Sequence, residues 1–157
     1  MKKLILLCLI GVSFYAYLQD NPQVIERIEE TVNTENLSNS NTSEYSSSDR
    51  ALARAFKNKQ SDLQIGGSGK VVKVLADDLK GSRHQKFILE LSTGQTLLVA
   101  HNIDLAPRIN GLSIGDRVKF FGEYEWSARG GVMHRTHHDP QGRHEGGWLL
   151  HNGNIYQ

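Results

Sequence analysis

Five of the seven histidines of this 157-residue chain fall between His134 and His151. They occupy Met133-His134-Arg135-Thr136-His137-His138-Asp139-Pro140 and the tail behind it. Imidazole titrates near neutral pH and ligates metals, so this concentration points to metal binding or proton transfer. Read as a strand, the stretch directs His134, Thr136 and His138 to one face and Arg135 and His137 to the other. The first face continues from Val132 and is expected to turn inward. Pro140 ends the strand, because proline has no amide hydrogen to give a ladder. His144, behind Gly142, can fold back to that end. His138, Asp139 and His144 are therefore the candidate ligands for a divalent metal such as zinc, with the cofactor itself left open. The spacing matches no standard signature such as the His-Glu-x-x-His helix. That favours a hydrogen-bonded histidine cluster, structural or ligand-binding, over a bound metal. The single cysteine, Cys8, excludes both an intrachain disulfide and a cysteine-based zinc motif.

Further candidates lie in two other segments. In Asp77-Asp78-Leu79-Lys80-Gly81-Ser82-Arg83-His84-Gln85, Lys80, Arg83 and a glycine-opened backbone could hold an anion. The alternative is a solvated turn whose amides are capped by Asp77 and Asp78. In Ala100 to Arg108, the side chains of His101, Asp104 and Arg108 could reach the same rim, although Asn and Asp in such positions often serve only to fix a turn. Trp126, Tyr124 and Arg135 could stack on bases if exposed. The ligand-binding candidates are Arg83, His84, His101, Asp104, Arg108, Trp126 and His137.

The elements that must position these residues begin after an N-terminal preamble. Lys2 and Lys3 precede an apolar run from Leu4 to Leu18, the pattern of an export signal. The run approaches the ~20 residues that span a bilayer. Phe14 is large where a cleavage site after Ala16 wants a small residue, which favours an uncleaved anchor over residues 1–19. The paired lysines would stay on the cytoplasmic side, placing the rest at the bacterial inner membrane facing the periplasm, or free in the periplasm if the signal is cleaved. Residues 20–48 carry six acidic side chains against Arg27 alone and are rich in Asn, Ser and Thr. That composition predicts a disordered tether. A helix is expected from Ser48 as N-cap, with Ala51, Leu52, Ala55 and Phe56 on one apolar face.

From Lys70 the pattern changes to strands: Lys70 to Ala76, His84 to Ser92, Thr96 to His101, Asp116 to Trp126 and Gly131 to His138. A helical turn is expected around Leu105 to Ile109. Gly122 marks a bend in the fourth strand. Three strands, a helical connection and a two-stranded hairpin predict a mainly β protein, a five-stranded OB-like barrel over residues 49–157, with another small barrel such as an SH3-like fold as the runner-up. Trp148 to His151 and Asn154 to Tyr156 add a hairpin around Asn152-Gly153. From Ser61 onward the chain holds 11 Lys and Arg against 10 Asp and Glu, which argues against a nonspecific nucleic-acid binder.

Gly81-Ser82-Arg83-His84-Gln85, Leu97 to Arg108, Gly122-Glu123-Tyr124-Glu125-Trp126 and Thr136-His137-His138-Asp139-Pro140 together resemble an uncharacterised family of small exported bacterial proteins. The resemblance spans roughly Asp49 to Gln157 and implies no activity. Arg135 departs from it, standing where tryptophan is expected. Lys70 to Leu75 is weakly similar to the first strand of micrococcal-type nucleases, with Asp77, Asp78 and Arg108 a loose echo of their site. The leading expectation is an exported, membrane-tethered binding module whose ligand is unknown, with nucleic acid and another envelope protein as the candidates. The alternatives are a metal-dependent phosphodiesterase or nuclease, with His137, His138 or His144 as acid, base or ligand, and an envelope protein-interaction factor.

Overall fold

A computed structural model of the chain describes Gln23, Glu26, Arg27 and residues 47–157. The expected anchor and most of the expected linker lie outside the described residues. No helix among the described residues is long and apolar enough to cross a membrane.

The helix, α1, is described over residues 47–57, and seven strands follow. They are β1 (Leu63–Val74), β2 (His84–Glu90), β3 (Thr96–Asn102), β4 (Arg117–Glu125), β5 (Val132–His134), β6 (Trp148–His151) and β7 (Asn154–Tyr156). The sheet runs β1-β2-β3-β5-β4-β6-β7, and a further β1–β4 pairing closes its first five strands. β3 and β5 are parallel, and every other pair is antiparallel. A closed five-stranded barrel with this order is the OB topology anticipated from the sequence.

Closure depends on β1 serving two partners. Residues Leu63–Lys70 pair with β4, and Lys70–Val74 pair with β2 across a bulge between Val71 and Lys73. The glycines of Gly66-Gly67-Ser68-Gly69 therefore lie within the strand instead of preceding it. A β-carbon on Gly67 would come within 2.7 Å of the Phe120 ring, so glycine is what lets β1 pass over the core.

Alternation fills the barrel. Phe87, Leu89, Leu97, Val99, Val118, Phe120, Tyr124 and Met133 are fully buried. One end is covered by α1, which contributes Leu52 and Ala55 to this core. Ser48 is already helical and is not the N-cap. Asp49 instead accepts hydrogen bonds from the Ser92 amide at 2.9 Å and from its hydroxyl, tying the helix to the β2–β3 hairpin. The other end is covered by residues 103–112, which form turns and not the expected helical turn. Gln85, completely buried, donates from Nε2 to the Ile109 carbonyl and accepts the Ile109 amide at Oε1, both at 2.9 Å. The Gln85 side chain thus satisfies both backbone groups of Ile109 and fixes this connection against the barrel.

β4 is shared along one edge. Val118–Phe121 pair with β6, while Glu123–Glu125 pair with β5. Residues 135–147 are thus a loop thrown out between two short strands on the same edge. The β6–β7 hairpin turns at Asn152 and Gly153, both at positive φ, as a two-residue turn requires.

Candidate functional site

The His-rich stretch does not continue as a strand. β5 stops at His134, and Arg135 takes a left-handed backbone with φ of 51°. Alternation is lost at that residue, so Thr136 and His137 are buried side by side and His138 is exposed. The expected orientations are also reversed within the strand. Tyr124 pairs with Met133, both facing the core, and this turns His134 to the outside.

The individual side chains have defined work. Asp139 is buried, and its carboxylate caps the amides of Gln141 at 3.0 Å, His144 at 3.0 Å and Arg143. These N–H groups, that of Gln141 foremost, hold the acid at about 2. His144 Nε2 lies 3.8 Å from Asp139 Oδ2, and its ring stands edge-on to His137 at 5.2 Å. His138 remains in solvent, so Asp139 and His144 adjoin His137 and not the third expected ligand.

The loop candidates resolve into ties. Arg83 Nε meets Asp104 Oδ1 at 2.5 Å while its amide donates to Asp104 Oδ2 at 2.7 Å. Arg108 pairs with Asp77 at 2.8 Å. His101 is fully buried between the Thr136 hydroxyl at 2.8 Å and the Pro107 carbonyl at 3.1 Å. Trp126 donates from Nε1 to the Phe56 carbonyl at 3.1 Å, anchoring the end of α1, with Lys59 over its ring. Tyr124 is enclosed in the core, and Arg135 is paired with Glu123. The stacking surface expected of Trp126, Tyr124 and Arg135 is therefore not assembled.

A different constellation forms on the outer face of β2, β3, β5 and β4. A cleft of about 330 Å³ is lined by Asp78, His84, Lys86, Ala100, Glu125, Val132 and His134. Of the ligand candidates, His84 lies here, with Nδ1 at 2.8 Å from the Ser82 carbonyl. Lys86 pairs with Asp78 at 3.4 Å along one rim. On the other rim, Glu123 sits directly across from His134 in the β4–β5 register, and Glu125 lies two residues further along the same face. His134 Nε2 is 3.2 Å from Glu123 Oε1 and 3.8 Å from Glu125 Oε1. Burial pushes the His134 imidazole below its ordinary value, opposed by the Glu123 carboxylate and aided by the Arg135 cation. Among the described residues, Glu123, Glu125 and His134 are the group of His, Cys, Asp and Glu whose ligand atoms converge within 4.8 Å. A second cleft of about 420 Å³, between α1 and two hairpins, offers only Arg129 among ionisable groups.

Sequence reasoning missed Glu123 and Glu125. The signal was present: with Val118, Phe120 and Tyr124 facing inward, Glu123 and Glu125 must face outward, and hairpin register then brings β5 beside them.

The barrel defines the class as an OB-fold domain of mainly β structure. A family profile described as "Protein of unknown function (DUF3465)" matches residues 36–157, and the chain belongs to that family. No curated protein matches it.

Proposed function

We propose that this protein is an exported, membrane-tethered binding module whose cleft receives a polypeptide segment of another envelope protein. The observation that carries the reading is the composition of the cleft. Ala100 and Val132 supply an apolar floor between a Lys86–Asp78 rim and a Glu125–His134 rim. An apolar side chain fits the floor, and polar rims of both signs suit the flanking peptide groups. A near balance of 11 basic against 10 acidic residues from Ser61 onward favours such a segment over a nucleic-acid backbone, which calls for a basic surplus. Export and tethering rest on Lys2-Lys3 followed by the apolar run to Leu18.

Two measurements on the full chain in cells test the reading. A photo-crosslinking amino acid at position 84, on the cleft rim, is expected to yield a discrete adduct with an envelope polypeptide. The same probe at exposed position 155, on β7, is expected to yield none. Equal labelling from both positions, or none from position 84, contradicts cleft binding. Alkaline extraction is expected to leave the protein in the membrane pellet. Release into the periplasmic fraction identifies a cleaved signal and removes the tether, and recovery from the cytosol contradicts export.

A further inference from the structure

Two buried polar atoms at the β4–β5 rim face each other without hydrogen-bond geometry. Glu123 Oε1 and His134 Nε2 are both buried, and neither makes a hydrogen bond although only 3.2 Å separates them. Buried polar groups are costly when poorly satisfied, and an ion held between this close, misaligned ion pair would complete both atoms. The distances say what kind. A tetrahedral zinc ion with bonds of about 2.1 Å holds neighbouring donor atoms roughly 3.4 Å apart. The separations of 3.2 Å to Glu123 and 3.8 Å to Glu125 lie on either side of that value.

We infer that Glu123, Glu125 and His134 bind a divalent transition-metal ion of the zinc class, which forms the β4–β5 rim of the cleft. The inference rests on the reading of the cleft as a binding site and deepens it. One imidazole and two carboxylates are a borderline-hard donor set of the kind zinc accepts. Their placement is fixed by strand register and not by loop geometry, because Glu123 pairs with His134 in the ladder. Arg135 acts as a positioning residue. Its guanidinium engages Glu123 Oε2, and this orients the carboxylate with Oε1 towards His134. Glu125 lines the cleft and is one-third exposed. Three protein donors leave one of zinc's four positions for water or for an oxygen or nitrogen atom of the docked segment.

The test uses the untagged full chain purified in detergent, loaded with zinc chloride and dialysed against metal-free buffer. Elemental analysis is expected to find one zinc ion per chain in the natural protein. Glu125→Gln and His134→Gln are expected to lose most of it, while His138→Ala and His144→Ala keep it. Absence of stoichiometric zinc, its retention in both glutamine variants, or its loss in His144→Ala overturns the inference. Near-UV circular dichroism establishes that each variant is folded. Should a glutamine variant misfold, cobalt substitution of the natural protein decides: a tetrahedral visible band supports the site, and its absence overturns it. Zinc binding without adducts at position 84 removes the docking reading and leaves the ion. Adducts without zinc do the reverse.

Discussion

His101 accepts one neutral tautomer. Pro107 offers only a carbonyl oxygen, so Nε2 carries the hydrogen, and Nδ1 accepts the Thr136 hydroxyl. Burial lowers its pKa to about 4 from 6.5. The unfolded chain therefore takes up the proton first, and stability falls as pH drops through 6.5 towards 4, then levels. A shift of this size corresponds to about 3 kcal/mol. Urea midpoints measured across that window are expected to fall with pH, and a folded His101→Gln variant is expected to show a shallower fall. An unchanged slope would assign the pH dependence to other groups. A histidine in this family segment is thus a packing group where the sequence suggested a binding rim. The distinction is hidden in the sequence because one deciding partner, Thr136, comes from a segment 35 residues away. The same holds for Asp139: its carboxylate serves backbone amides of its own loop, a local bond pattern that competes with any role as a ligand.

At the scale of elements, strand existence was legible and strand ends were not. Val118, Phe120 and Tyr124 announced β4 by alternation, and Asn152-Gly153 announced the last hairpin by its turn chemistry. The sequence pattern carries the fifth strand to His138, four residues past its observed end at His134. Arg135 leaves the extended region, and nothing in an arginine signals a positive φ. Gly147 fits this local geometry, since a β-carbon there would approach the Arg135 carbonyl at 2.3 Å. The apolar face of α1 was read correctly, but its capping role rests on contacts distant in sequence, from Asp49 to Ser92 and from Trp126 to Phe56. Leu52 is completely buried in the shared core. Leu52→Ala is therefore expected to destabilise the domain by about 2–5 kcal/mol, through lost burial and the cavity left behind. Denaturant unfolding measures it. A loss below about 0.5 kcal/mol, the range of surface substitutions, would mean that the helix lies loosely on the barrel.

For the molecule as a whole, the order of strand, connection and hairpin sufficed for the barrel because OB topology leaves few ways to close five short strands. The site did not follow from the same signals. Histidine density along the chain drew attention to residues 134–144, whereas the structure gathers His84, Lys86, Glu123, Glu125 and His134 from three strands onto one outer face. Only His134 belongs to both groups. Convergence of that kind is set by register across the barrel, and a one-residue error in β5 is enough to send His134 inward on paper. The central claim is that function resides on this face and not in the His-rich loop. The most direct measurement is adduct formation from a photo-crosslinker at position 84 in the full chain, compared between Glu125→Lys and His138→Ala. Glu125→Lys is predicted to abolish the adduct and His138→Ala to leave it intact. Loss of the adduct in His138→Ala with retention in Glu125→Lys would contradict the account and return the site to the loop.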